Sequence, residues 1–226
     1  MNGISNVILV HGAWADGSSW AKVIPLLNAE GLQVTAVQLP LVSFEADVAA
    51  VRRAIALTEG NVVLVGHSYA GAVIGEAGND PKVARLVYID AFAPDGGESA
   101  GTLFAQFDSA PLSAEIRPDA EGFLKLTRAG IYDLFAQDLD EDEKAIAYAT
   151  QGPINGAALG GVLSQAAWRT RPTFYLIGDQ DHAIPPREQA RMAARMNATV
   201  MHVDASHVPM LSQPQAVVRF ILQAAA

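Results

Sequence analysis

The run Asn61-Val62-Val63-Leu64-Val65 passes without a loop into Gly66-His67-Ser68-Tyr69-Ala70-Gly71 and then into a helix-forming segment. An unbroken apolar run suits a strand buried on both faces, and such burial calls for helices above and below a parallel sheet. At the junction, Gly66 stands two residues before the serine and Ala70 two after it, so strand and helix can pass closely. A serine on so tight a turn is held in a strained conformation with its hydroxyl projecting outward, as a nucleophile requires. The usual pattern ends in Gly where Ala70 stands, although a methyl group still fits and Gly71 follows. On these six residues alone, an ordinary strand-turn-helix joint reads the same way.

The rest of the chain repeats the alternation. Strands are predicted over 4–10, 33–38, 61–66, 84–90, 172–178 and 199–204, and helices over 18–30, 45–58, 69–78, 186–196 and 213–224. Strand and helix in turn give an α/β fold with a parallel sheet covered on both faces. Pro25 falls inside the first helical pattern and predicts a kink there, because proline removes a hydrogen bond and clashes with the preceding turn.

Several strand ends carry polar residues suited to chemistry. Val7-Ile8-Leu9-Val10 leads into His11-Gly12-Ala13-Trp14, a small-residue turn that can present a bare backbone N–H. Thr173-Phe174-Tyr175-Leu176-Ile177-Gly178 ends in Asp179-Gln180-Asp181-His182, and Thr199-Val200-Met201-His202-Val203-Asp204 runs into Ala205-Ser206-His207-Val208-Pro209. In a parallel sheet all C-terminal strand ends share one edge, so these residues converge with Ser68. With the order serine, acid, histidine along the chain, they resemble the serine α/β-hydrolase superfamily. The compact core and the His11-Gly12-Ala13 opening are similar to the branch of plant methyl esterases, hydroxynitrile lyases and small bacterial esterases. The resemblance covers 4–92 and 170–224 and is loose between them. It implies a sheet of about six mainly parallel strands, the first two of the full eight being absent, with a helical cap inserted after the fourth.

A serine hydroxyl needs a base to take its proton, and that base needs a carboxylate to fix its tautomer. The resemblance assigns these roles to Ser68, His207 and Asp181, the last through the family's Gly-x-x-Asp pattern on Gly178 to Asp181. Asp179 is the second candidate acid, and Asp90, ending the fourth strand, is the third. The oxyanion of the reaction falls to the backbone N–H groups of Ala13 and Tyr69. His11 reads as a structural support of that loop, His67 as pointing away from the reaction, and His182 and His202 as surface or strand residues. No pair of histidines has metal-site spacing, so neither metal nor cofactor is expected.

About 75 residues between the fourth and fifth predicted strands show no clear strand and are too many for a structureless loop. They read as a cap over 94–165, set into a core of 1–93 and 166–226, with helical pieces at 99–106, 131–137, 140–150 and 155–167. Its apolar side chains (Phe104, Phe107, Leu124, Phe135, Ile154, Leu159 and Trp168) are candidates to face the serine. The candidate substrate pocket combines Trp14, Phe92, Phe104, Ile154, Trp168 and Val208.

Of the net charge of −9, most sits in that cap, where 12 acids face 4 bases. So acidic a chain argues against nucleic-acid binding. The run Asp138 to Glu143 reads as a solvated helix start with Asp140 as its cap. The absence of cysteine excludes disulfides and thiolate chemistry and permits a reducing cytoplasm. The short apolar run at 4–10 is neither a signal peptide nor a membrane span. A small or medium, largely apolar ester or lactone is the substrate that the resemblance implies. Hydroxynitrile lyases of this branch carry a threonine in the oxyanion loop and a lysine beside the histidine, where this chain has Gly12 and Val208. A lyase, a cofactor-free peroxidase or a receptor retaining the triad are the alternatives on the same scaffold.

Overall fold

A computed structural model describes residues 4–107 and 110–226. Residues 1–3 of the expected core and 108–109 of the expected cap lie outside the described residues. Strands follow one another as β1 (Asn6–Val10), β2 (Gln33–Val37), β3 (Val62–His67), β4 (Val83–Ile89), β5 (Ile116–Pro118), β6 (Phe123–Leu126), β7 (Ile154–Asn155), β8 (Thr173–Gly178) and β9 (Thr199–Val203). The α-helices are α1 (Ile24–Ala29), α2 (Phe44–Leu57), α3 (Ala70–Ala77), α4 (Ala100–Phe104), α5 (Glu141–Thr150), α6 (Gly156–Leu159), α7 (Pro186–Arg195), α8 (Pro209–Ser212) and α9 (Pro214–Ala225).

Six strands form one parallel sheet in the order β2-β1-β3-β4-β8-β9. Because successive strand residues point to opposite faces, each continuous apolar run feeds two cores. Ile8, Val10, Leu64 and Tyr88 pack with Val51 and Ile55 of α2, Val73 and Ile74 of α3 and Met192 of α7. Val7, Leu9, Val63, Val65 and Ile89 face the other way, onto Leu27 of α1 and Val217, Phe220 and Ile221 of α9. This double burial is the reason that the four inner strands lack an apolar/polar alternation, whereas the edge strands β2 and β9 are partly exposed.

Two local expectations need correction. The helix predicted over 18–30 is a 3-10 turn at Gly17–Trp20 followed by α1, with Pro25 in its first turn. A proline's missing N–H is harmless only there, so the helix begins at Ile24 and does not bend around Pro25. The segment between β4 and β8, read as strandless, contains the antiparallel sheet β5-β6-β7. Strands of two to four residues carry too little period-two pattern to be seen in sequence.

Around that small sheet lie the shorter helices. Ser99 and Thr102 form a reciprocal capping box on α4, and the Asp140 side chain accepts the Glu143 N–H at 2.8 Å to start α5. Gly130–Phe135 is a π-helix, and the helix expected over 155–167 contracts to α6, with Gly160-Gly161 following it. None of the residues of α5 is buried, so the acidic run at its start is solvated. Among the described residues no helix is long and apolar enough to cross a membrane.

Candidate active site

β3 ends at His67, and Ser68 turns the chain into α3 with φ at 55°. This left-handed conformation costs a residue with a Cβ about 1–2 kcal/mol. Three backbone hydrogen bonds hold it: Ser68 N–H donates to Ile89 O at 3.1 Å, and Ser68 O accepts from Gly71 N–H at 3.0 Å and Phe92 N–H at 3.1 Å. A Cβ on Gly66 would lie 2.8 Å from Ala70 O, and one on Gly71 only 2.1 Å from Phe92 O. The close approach read at Gly66 and Ala70 is therefore present, and Gly71 makes a second, tighter one to the backbone that follows β4.

His207, on the loop after β9, places Nε2 2.8 Å from Ser68 Oγ. Its Nδ1 lies 2.7 Å from Asp181 Oδ2. Asp181 stands on the loop after β8 and is fully engaged as an acceptor. Ala183 and Ile184 N–H donate to Oδ1 at 2.7 and 3.0 Å, and Gln189 Nε2 donates to Oδ2 at 2.7 Å. Ser68, His207 and Asp181 are 5 %, 1 % and 2 % exposed, so bulk water screens this chain of hydrogen bonds very little.

The other two acids differ in surroundings. Asp179 pairs with His202 at 2.7 Å on the surface. Asp90 is buried, and burial together with the nearby Asp181 charge pushes its carboxyl well above the usual carboxylate range. Asp90, Asp181 and His207 each bring one potential ligand atom within 4.8 Å of the others. For Asp181 and His207 those atoms are already committed to each other and to the donors just described, an arrangement suited to proton transfer.

Two further histidines join the strand ends. His11 Nδ1 hydrogen-bonds Gly12 O at 2.8 Å, and its Nε2 accepts the Leu39 N–H at 2.9 Å. Nδ1 is therefore the protonated nitrogen, and burial lowers this imidazole's pKa. His67, its ring centroid 4.8 Å from that of His207, gives its Nε2–H to His207 O at 2.7 Å. Burial first, and His207 second, hold its pKa well below the ordinary value. His202 lies exposed in β9, and the part-buried His182 follows Asp181 in the loop after β8.

Ser68 and His207 open on an apolar cavity walled by Ala13, Trp14, Tyr69, Phe92, Phe104, Leu112, Ile116, Leu159 and Ile184. Of the pocket residues expected from sequence, Trp14, Phe92 and Phe104 line it. The other three do not. Ile154 is buried in the packing between cap and core, and Val208 lines a separate groove with His67, Phe135 and the far side of Trp14. Trp168 is drawn outward because its Nε1–H needs an acceptor, found in Pro94 O at 2.9 Å, while the guanidinium groups of Arg169 and Arg195 lie over its ring.

Sequence reasoning missed two supporting side chains, Gln189 and Asp47. Gln189 reaches Asp181 from α7. Phe135, a candidate to face the serine, sets its ring edge-on to His207 at 4.9 Å between centroids. Asp47 accepts the Tyr69 hydroxyl at 2.8 Å and the Leu41 N–H at 2.8 Å, tying α2 to the turn after Ser68. The one available signal was an acid on the apolar face of α2, at a helical spacing of one from buried Val48 and four from Val51.

Comparison with known proteins agrees with this fold. A relative in Aspergillus novofumigatus, described as alpha/beta hydrolase nvfD, is 30% identical over 97% of this chain and 96% of its own. Methylesterase 1 of Arabidopsis thaliana is 27% identical over 96% of this chain and 95% of its own. The crystal structure of a pyrethroid hydrolase from Sphingobium faniae superposes with a TM-score of 0.87 at 25% identity, covering 98% of this chain and 97% of that one. Since the model of the Alpha/beta hydrolase family also matches residues 7–220, the chain belongs to that family.

Proposed function

We propose that this protein is a serine hydrolase that cleaves a small to medium, largely apolar carboxylic ester or lactone through an acyl-enzyme. The observation that carries the reading is the pair of hydrogen bonds from Asp181 through His207 to Ser68, opening on an apolar cavity. His207 Nε2 takes the Ser68 proton as Oγ attacks the substrate carbonyl carbon. The resulting oxyanion is met by the backbone N–H groups of Ala13 and Tyr69, each donor contributing about 3 kcal/mol in the transition state. Tyr69 immediately precedes α3, so the positive end of that helix favours the same charge. The imidazolium then protonates the departing alcohol, and water repeats the sequence to release the acid.

Residues 94–165 act as a cap that closes the cavity, set into the core of 1–93 and 166–226. Phe104, Leu112, Ile116 and Leu159 bring its apolar side chains to the serine. Relatives named pyrethroid hydrolase and methylesterase support an ester as substrate. A cysteine-free chain has no need of an oxidising compartment, which supports a cytoplasmic setting. The test is a set of chromogenic esters and lactones graded by acyl length. Wild type turns over the apolar members, and Ser68→Ala and His207→Ala each lose on the order of 10^4 to 10^6 in rate. More than about a tenth of wild-type activity in either folded variant refutes the assignment.

A further inference from the structure

Behind Asp181 lies a second carboxyl that the reaction above does not use. Asp90 directly follows β4 in the left-handed region, with φ at 44°, and is fully buried. Its Oδ1 accepts the Gly178 N–H at 2.5 Å, whereas Oδ2 has no donor. The groups around it are Asp181, His207, Gln189 of α7, Tyr175 of β8 and, farther off, Asp138. Tyr175 is engaged with the Ala91 backbone, and Asp138 accepts the Ser206 N–H at 2.9 Å. The charges felt by Asp90 from Asp181 and Asp138 are both negative, so they cannot stabilise a carboxylate there.

Gln189 supplies the decisive constraint. Its amide nitrogen spends both hydrogens, one on Asp181 Oδ2 at 2.7 Å and one on Ile184 O at 2.8 Å. Both partners are acceptors, so the amide cannot be turned over. Gln189 Oε1 must therefore accept, yet it is buried without a donor. The carboxamide stands beside the Asp90 carboxyl, where an amide hydrogen would favour the carboxylate, but both hydrogens are already spent on Asp181 and Ile184, which leaves only Oε1 to meet Asp90. Two buried oxygens thus share one deficit, and a single proton on Asp90 Oδ2 satisfies both.

We propose that Asp90 is a neutral carboxylic acid and a positioning residue: its Oδ2–H donates to Gln189 Oε1, and Gln189 in turn fixes Asp181 for His207. The effect on turnover rests on the triad reading above, whereas the proton on Asp90 does not. Burial and the Asp181 charge, which drive the carboxyl upward, act in the same direction.

The test compares Asp90→Asn, Asp90→Ala and wild type. Asparagine tolerates positive φ and reproduces the neutral acid, with Oδ1 for the Gly178 N–H and an N–H for Gln189. The infrared difference between wild type and Asp90→Asn at neutral pH should contain the carbonyl band of a neutral carboxyl that shifts in D2O. Asp90→Asn should hold kcat within about threefold and leave the acidic limb of kcat/KM in place, while Asp90→Ala should lower kcat about 10- to 100-fold at nearly constant KM. Absence of the neutral-carboxyl band overturns the proposal. So does an acidic limb displaced by about one pH unit or more in Asp90→Asn, the consequence of removing a real negative charge beside the imidazolium. Wild-type kcat in Asp90→Ala removes the positioning role. If Asp90→Ala fails to fold, the infrared difference and the Asp90→Asn profile decide the matter. Turnover surviving in Ser68→Ala would sink the triad reading and leave the infrared result standing on its own.

Discussion

Replacing Asp181 by Asn tests the proposed proton path at its least accessible point. In wild type, His207 Nδ1–H faces Asp181 Oδ2 at 2.7 Å and the bare Nε2 faces Ser68 Oγ at 2.8 Å. The asparagine oxygen stays with the Ala183 and Ile184 N–H groups, which lie 2.7 and 3.0 Å from Oδ1. The amide nitrogen therefore replaces Oδ2 and points its hydrogens at two donors, His207 Nδ1–H and Gln189 Nε2. The imidazole relieves its share of the conflict by moving its proton to Nε2. It then donates to Ser68 Oγ and cannot take the serine's proton. Inverting the tautomer in this way costs a Ser-His-Asp hydrolase about 10^4 in kcat, or about 5.5 kcal/mol at 1.36 kcal/mol per tenfold. Steady-state kcat on a chromogenic ester at neutral pH measures it, with a thermal melt to show that the variant is folded. Asp179→Asn breaks only an exposed pair with His202 and should cost less than about threefold. A loss below about 100-fold in Asp181→Asn, or a larger loss in Asp179→Asn, refutes the assignment of the acid.

Tyr69→Phe keeps the backbone N–H but strips the hydroxyl from buried Asp47, which should cost about 1–3 kcal/mol in urea unfolding while kcat changes little; unchanged stability would show that the contact between α2 and the turn is not under load. The raised pKa of Asp90 also has a thermodynamic sign. The folded state holds a proton that the unfolded chain loses above its ordinary carboxylate range, so this group's stabilisation is present below that range and fades as pH rises toward the folded value. Wild type should therefore lose about 1.4 kcal/mol per pH unit relative to Asp90→Asn, starting near pH 4, and parallel stability curves for the two proteins would contradict this. With 12 acids against 4 bases over 94–165, a neutral ester should outperform its matched dicarboxylate half-ester, the gap narrowing as salt shortens the Debye length to about 8 Å. A gap in kcat/KM that ignores salt would mean that the cap charges act only as a solvated surface.

What the sequence disclosed follows from how each element is buried. The four inner strands of the sheet are apolar on both faces, so the expected strand over 61–66 and the observed Val62–His67 differ by one residue at each end. Ser68 and His207 were visible because each closely follows a strand of the parallel sheet, which brings both to one edge. The acid was harder. Asp179, Asp181 and Asp90 all stand at strand ends, and only the direction of their hydrogen bonds separates an exposed ion pair, a fully accepted carboxylate and a proton-bearing neighbour. The cap was least legible. An apolar residue there can face the cavity, as Leu159 does, or the packing behind it, as Ile154 does, and local sequence does not record which.

Much of the site rests on buried polar side chains that touch neighbouring strand ends and leave the cavity to others, of which Gln189 escaped notice in the sequence. His11 ties the turn after β1 to the backbone after β2, His67 ties the end of β3 to the His207 carbonyl, and Gln189 ties α7 to Asp181. Each uses hydrogen-bonding capacity that would otherwise be costly to bury. Together they fix the angles at which Ala13, Ser68 and His207 meet. Such rigidity has a chemical reason. In the proposed reaction, negative charge grows on the carbonyl oxygen and positive charge on the imidazole among buried side chains, and dipoles already in place need not reorganise as that happens. A strand-turn-helix motif can locate the nucleophile, but the strength of the field around it depends on residues drawn from separate elements, joined only in the folded chain.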